Sequence, residues 1–267
     1  MKLGFIGCGK MATALAEGVL KANVFTKEGI IVTDKFPAAV KSLVEKTGVM
    51  AAVDNAALAA AADAIVLCVK PGDALDALKS TRDSLAGKLV ISILAGVTID
   101  TLQKAAGDKV RIIRVMPNTP ALIHKGAAAY SLGHSATEAD SALVEKIFSA
   151  VGTVFQVKEG LLDVVTGLSG SGPAYVYVVV EALADAGVLM GLPRDLALQL
   201  AAQTVSGAAG MVLQTGLHPA QLKDQVTSPG GTTIAGLEAL EAAGIRSAFL
   251  SAVRAATERS RELGKQS

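Results

Sequence analysis

The sequence predicts an α/β fold in which an N-terminal doubly wound sheet is followed by an all-α C-terminal domain. Three observations carry this reading. Short, almost wholly apolar β-rich runs alternate with alanine-rich helical segments through the first half. A glycine-rich turn follows the first of these runs directly, and from Ser171 onward no bounded strand-length run recurs.

Taken in order, Leu3-Gly4-Phe5-Ile6, a helix from about Lys10 to Ala22, and Ile30-Ile31-Val32-Thr33 form a βαβ unit. Ala64 to Val69, Leu89 to Leu94 and Arg111 to Met116 are apolar almost throughout, as strands covered on both faces must be, and they extend a parallel sheet. Two weaker runs, Ala127 to Leu132 and Thr153 to Val157, bracket a helix from about Glu138 to Val151 and close it. The first domain then ends near residue 160, dividing the chain into 1–160 and 161–267. In the second part, Tyr175-Val176-Tyr177-Val178-Val179-Val180 has strand-like propensity. It reads as helix all the same, because Pro173 stands in a first turn and the apolar pattern runs on through Ala184. A helix over roughly Arg194 to Thr215 is apolar around most of its circumference, more than a small helical domain buries alone, so a partner subunit is implied. A further helix, Ile234 to Ala243, follows a glycine-rich loop.

Composition narrows the function classes. With 51% hydrophobic and 18% charged residues the chain is not disordered, and 267 residues allow one large or two small domains. Lys+Arg 25 against Asp+Glu 24 leaves a net charge of +1, no field for drawing in nucleic acid or anionic lipid. Two cysteines make no disulfide framework, and the first residues lack a signal-type apolar region, so a reducing cytoplasm is expected. The most hydrophobic later stretch, Ala174 to Met190, carries Glu181 and Asp185 and falls short of about 20 uncharged residues, so no membrane partner is expected.

Gly7-Cys8-Gly9-Lys10-Met11-Ala12 sits between the first strand and the first helix, the context in which G-x-G-x-x-A binds a dinucleotide. Two glycines let backbone N–H groups approach a pyrophosphate at the helix N-terminus, and Ala12 lets helix and strand pack closely; an empty tight turn is the alternative. The fold class is accordingly a Rossmann-type sheet followed by a helical dimerisation domain. Ile6 ends the strand below the turn. At the end of the second strand Thr33, Asp34 and Lys35 give opposed signals: a carboxylate accepts from a ribose 2′-hydroxyl, whereas Lys or Thr holds a 2′-phosphate. Val69, Lys70 and Pro71 end another strand on the ligand side, so Lys70 is either a phosphate or ribose contact or a solvated loop lysine. Ala95-Gly96-Val97 and the stretch Met116 to Pro120, with Asn118, can line a nicotinamide pocket.

In the second domain, Ser228-Pro229-Gly230-Gly231-Thr232-Thr233 reads either as an anion nest opening a helix or as a plain helix cap with a glycine turn. Gly167 to Tyr175 taken alone is a structural helix start. His124, His134 and His218 have no companions at metal-ligand spacing, so no metal site is expected and they read as surface or capping residues. Cys8 and Cys68 read as packing residues.

Together Gly4 to Gly9, Val69 to Pro71, Arg114 to Pro120, Gly167 to Tyr175 and Leu222 to Thr233 resemble the pyrroline-5-carboxylate reductase family over nearly the whole chain. The resemblance implies reduction of Δ1-pyrroline-5-carboxylate to L-proline, the last step of proline biosynthesis, with NADPH as cofactor and NADH also usable. It implies Thr233 as the catalytic hydroxyl at the ring nitrogen and the amides of Gly231, Thr232 and Thr233 on the substrate carboxylate. Val226, Ser228 and Glu159 would stand around the substrate, and Asn55 and Lys70 at the cofactor. It also implies a small-molecule substrate, a homodimer with interlocked helices, and a homodecamer as one option. Asp34 departs from the small or phosphate-friendly residue many members carry there. A hydroxyacid dehydrogenase of the same architecture would want a lysine between Tyr175 and Leu192, and there is none. A non-catalytic dinucleotide sensor is the alternative from another class.

Overall fold

The computed structural model describes residues 1–266. The chain forms two compact units: Met1–Ser171 together with the stretch from Arg254 to the end of the described residues, and Gly172–Val253. The last strand ends at Gln156, but residues 159–171 pack with the first unit, so this division falls at 171 where the sequence suggested 160.

In the first unit eight strands form one sheet: β1 (Leu3–Ile6), β2 (Ile30–Thr33), β3 (Met50–Ala51), β4 (Ala64–Leu67), β5 (Leu89–Ser92), β6 (Arg111–Met116), β7 (Gly126–Leu132) and β8 (Gly152–Gln156). Their spatial order is β3-β2-β1-β4-β5-β6-β7-β8. The first six run parallel; β7 is antiparallel to β6, and β8 is parallel to β7, so the closing pair departs from the all-parallel expectation. Every residue of β1, β2, β4 and β5 is buried. Side chains alternate between faces with the strand period of two. Phe5, Val66, Ile91 and Ile113 enter one core with Leu15, Tyr130, Val144 and Phe148. Ile6, Ile65, Val90 and Ile112 enter the other with Leu58, Leu78 and Leu102.

The covering helices are α1 (Lys10–Lys21), α2 (Pro37–Thr47), α3 (Asn55–Ala61), α4 (Pro71–Leu85), α5 (Ile99–Ala106), α6 (Glu138–Ser149) and the single turn α7 (Leu162–Val165). Their starts follow local chemistry. Asp54 caps α3, Thr98 caps α5, Pro stands in the first turn of α2 and α4, and Thr137 with Asp140 makes a capping box for α6. After α7 the chain widens into a π-helical turn, Thr166–Gly170.

The second unit is helical: α8 (Gly172–Leu189), α9 (Arg194–Thr215), α10 (Pro219–Gln225), α11 (Thr232–Ala242) and the first part of α12 (Ile245–Gln266). Its own core is small, Ala184 packing on Ala197 and Ala201. Tyr177 and Val178 are each 63% exposed, and Leu196, Leu198, Leu200 and Leu213 are exposed with them. Two helical stretches, Glu159–Leu189 and Arg194–Thr215, are by length and composition apolar enough to cross a membrane, which exceeds the sequence-based expectation for the first of them. His218 caps α10, its Nδ1 accepting from the Ala220 amide, the capping role expected of it.

Candidate active site

The sheet order reverses between β1 and β4, and at such a switch point a crevice opens beyond the strand ends where ligands bind in doubly wound folds. A cavity of about 540 Å³ lies there, lined among others by Ile6, Gly9, Asp34, Lys35, Asn55, Val69 and Lys70. Seven of the residues expected at a cofactor are thereby brought together. Gly7 makes the turn: its φ is +100°, and a side chain would strike the Cys68 carbonyl. At Gly9, where a Cβ would point, there is open space, and α1 begins with no side-chain cap. The first amides of α1, on Lys10, Met11 and Ala12, therefore have neither an intrahelical nor a capping partner. Of these, Lys10 and Met11 keep exposure, which is the cradle a pyrophosphate requires, and the turn fits a dinucleotide.

Other expected residues are placed differently. Thr33 is buried, its carbonyl accepting from the Gly7 amide at 2.8 Å, so it holds the turn from beneath. Asp34 is engaged by the protein itself: Oδ2 accepts from the Cys8 amide at 2.7 Å and Oδ1 from the Phe36 amide at 2.9 Å. Lys35 donates from Nζ to both Asp73 oxygens at 2.8 Å. Pro71 is the first residue of α4, and Ala12 is fully buried beneath the turn. Val97 is buried in the second core, and Gly96 lies beneath Leu263 and Gly264, so of that trio only Ala95 keeps partial exposure. Asn118 donates to the Ser169 carbonyl at 3.0 Å and accepts from the Ala127 amide at 2.8 Å, bonds that tie β6 to β7 and to the π turn.

Glu159 also has internal work. Its Oε1 accepts from the Ile99 amide at 2.7 Å and from Arg114 at 3.3 Å, while Arg114, only 3% exposed, lies 3.6 Å from Asp163. Ser260 donates to Asp163 at 2.7 Å and anchors the end of α12 in the first unit. A buried guanidinium needs such partners, since an unpaired charge there would cost several kcal/mol (about 3–5).

Sequence reasoning missed Phe36, Asp73, Asp76, Ala77 and Ser80, all of which line the crevice. A signal was present: Asp73, Asp76, Ala77 and Ser80 recur at the i, i+3, i+4, i+7 spacing of one helix face just after Lys70-Pro71.

Burial, reinforced by the Asp34 charge, pushes the Cys8 thiol up to about 12, and burial with Cys8 beside it drives the Cys68 thiol up further. Neither acts as a nucleophile near neutrality. No group of three or more metal-ligating side chains occurs among the described residues.

In the second unit, Gly230 adopts φ +63° and Gly231 is the N-cap of α11, with no side-chain cap bond. A side chain on Gly231 would collide with the Ser228 hydroxyl. The helix starts at Thr232, two residues earlier than the sequence suggested. The Gly231 amide donates to the Ser228 carbonyl at 3.1 Å, so the amides of Thr232, Thr233 and Ile234 are the open ones, a nest one residue further along than expected. Thr233 is half-buried and Val226 is 67% exposed on the same loop.

An open glycine turn at the switch crevice of a doubly wound sheet, joined to a helical unit with exposed apolar faces, defines the two-part class of Rossmann-type dinucleotide-dependent oxidoreductases. Comparison with known proteins narrows it. Residues 159–263 match the family model described as pyrroline-5-carboxylate reductase dimerisation, and residues 2–96 match one described as NADP oxidoreductase, coenzyme F420-dependent. The chain is 49% identical to a pyrroline-5-carboxylate reductase of Methanosarcina acetivorans, covering 99% of this chain and 98% of that one. A pyrroline-5-carboxylate reductase structure from Coxiella burnetii superposes with a TM-score of 0.93 at 38% identity, covering 98% of each chain. One from Plasmodium falciparum, solved with NADP bound, gives 0.88 at 38% identity, covering 99% of this chain and 98% of that one. The chain belongs to the pyrroline-5-carboxylate reductase family.

Proposed function

We propose that this protein reduces Δ1-pyrroline-5-carboxylate to L-proline, closing proline biosynthesis, with NADPH and also NADH as reductant. Likeness to reductases of this name over 99% of the chain carries the reading, since it spans both the crevice and the Ser228 to Thr233 loop. When bound, the reduced nicotinamide supplies a hydride to the carbon of the C=N bond. The chain supplies position. The amides of Lys10 and Met11 hold the pyrophosphate, Asn55 and Lys70 meet the adenosine half, and Ala95 stands towards the nicotinamide. In residues 161–267, read as the substrate-binding and dimerisation domain, the open amides at the start of α11 hold the substrate carboxylate. Val226 and Ser228 border the substrate, and the Thr233 hydroxyl bonds the ring nitrogen, which receives the electron pair as the carbon takes the hydride. Fixing two reactants in this way replaces a strong acid once the imine is protonated.

The exposed faces of α8 and α9 are read as a homodimer surface, with a decamer as a higher assembly; the dimerisation model over residues 159–263 supports self-association. On the same reading the two long apolar helices serve subunit contact, and the enzyme works in the cytoplasm with neither membrane nor nucleic acid as partner.

The test is loss of reduced-nicotinamide absorbance with pyrroline-5-carboxylate, run beside the six-membered piperideine homologue. Turnover of the five-membered ring with accumulation of proline is expected. No oxidation of either dinucleotide, or preference for the larger ring, would overturn the assignment.

A further inference from the structure

We propose that Asp73 sets the preference of the crevice between a dinucleotide with a 2′-phosphate and one without, by holding the Lys35 ammonium. The proposal rests on reading the crevice as the adenosine end of the dinucleotide site.

In folds of this kind the 2′ position of the adenosine ribose lies just past the end of the second strand. Here β2 ends at Thr33, and Lys35 follows two residues later. A free ammonium at that place would favour a phosphate. Instead, Lys35 Nζ lies 2.8 Å from each Asp73 oxygen and 5.4 Å from the centroid of the Phe36 ring. Asp73 belongs to the first turn of α4, so the ion pair spans from the end of β2 to the helix following β4, and all three residues line one cavity. Asp34 is not free to take that place, since its oxygens receive the Cys8 and Phe36 amides. The other ammonium lining the cavity, on Lys70, has no hydrogen bond or ion pair among the described residues and is open to either dinucleotide.

The charges along the wall are Asp34, Asp73 and Asp76 against Lys35 and Lys70. With one ammonium turned onto a carboxylate, the wall opposes a dianion. The side chains of Lys35 and Asp73 are 58% and 39% exposed, so the pair contributes little to the stability of the fold. Its consequence is directional: Asp73 competes with a 2′-phosphate for the same three N–H donors. A phosphate of roughly two charges can win that competition, so the device weakens binding of the phosphorylated dinucleotide without forbidding it.

Calorimetric titration of NADP⁺ and NAD⁺ into wild type, Asp73→Asn, Lys35→Met and the double variant tests this directly, with no turnover needed. The ratio of two ligands on one sample does not depend on the folded fraction. Asp73→Asn is expected to tighten NADP⁺ relative to NAD⁺ by about 3- to 10-fold, less at high salt, and Lys35→Met to shift the ratio the other way. In the Lys35→Met background Asp73→Asn should give no gain. Asp76→Asn, the same change of charge without the Lys35 contact, should give a clearly smaller one. An unchanged ratio in Asp73→Asn, an equal gain without Lys35, or an equal gain from Asp76→Asn overturns the proposal while leaving the adenosine reading standing. If the wild type binds neither dinucleotide, both fall.

Discussion

Removing the Thr233 hydroxyl tests the chemistry at one atom. Thr233 is the second residue of α11, and the cap position before the helix is held by Gly231 without a side-chain bond. A capping role would require Thr233 to accept from an amide further along, and its hydroxyl makes no hydrogen bond among the described residues. Thr233→Ala therefore gives up no cap, and alanine favours the helix, so the melting temperature should stay within about 1 °C of wild type. On the proposed reading the hydroxyl meets a ring nitrogen that gains an electron pair. A hydrogen bond that strengthens there contributes about 1–3 kcal/mol, so kcat should fall about 5- to 150-fold. Thr233→Ser should keep most activity, and Thr233→Val, which preserves shape, should fail as alanine does. Steady-state kinetics with pyrroline-5-carboxylate, dinucleotide affinity by titration and a melting curve are the assay. Near-wild-type kcat together with a lowered melting temperature would refute the reasoning, as would a loss confined to dinucleotide affinity.

Three further outcomes follow from packing and charge. Charging the exposed α8 and α9 faces with Tyr177→Asp and Leu200→Asp should shift sedimentation towards a 27.0 kDa protomer and abolish activity, and an intact dimer would place the interface elsewhere. Burial works to raise the Asp140 carboxyl, but Arg111 and Thr137 outweigh it and hold the group below its ordinary value. Its stabilising contribution is therefore whole above about pH 4 and lost as pH falls through the lower folded value; Asp140→Asn should cost about 1–3 kcal/mol at pH 7 and flatten the acid limb, and an unchanged acid limb would exclude Asp140 as its source. With the Cys8 thiol at about 12, iodoacetamide at pH 8 should leave the enzyme active, whereas fast stoichiometric inactivation would contradict the burial of that thiol.

What was legible in the sequence was what is encoded locally. Strands β1, β2, β4 and β5 are buried throughout and so read as almost wholly apolar runs, β6 keeps that character around Arg111 and Arg114, and Met50–Ala51 is too short to leave a pattern. Tyr175 to Val180 has strand propensity yet is helical, because Pro173 opens a helix and a mostly apolar stretch of eighteen residues suits no ordinary strand. Strand direction leaves no mark on periodicity, so the reversal at β7 could not be read. The π turn at Thr166–Gly170 leaves none either. The same limit governed the site. The glycine turn, Asn55 and Lys70 are placed by their own elements, but Glu159, Asn118 and Lys35 take partners 60, 51 and 38 residues away, and no local pattern shows that a side chain is already in use.

The distribution of charge explains why this architecture suits hydride addition to a C=N bond. Near the crevice Asp34 and Lys35 are occupied by the protein, and the residues from Val226 to Thr233 include no ionisable side chain. What remains for the anionic parts of the ligands, beside the Lys70 ammonium in the crevice, is backbone amides at two helix starts, which are neutral donors and do not titrate. Anion binding by such donors is therefore constant across the neutral range. The proton that matters sits on the ring nitrogen of the substrate, and a hydroxyl with no ionisable neighbour in its loop can orient that nitrogen but cannot protonate it strongly. On the proposed reading an enzyme built in this way leaves activation to the substrate and limits its own part to geometry, which would account for glycines and threonines, rather than a histidine or a carboxylate, in the Ser228 to Thr233 loop.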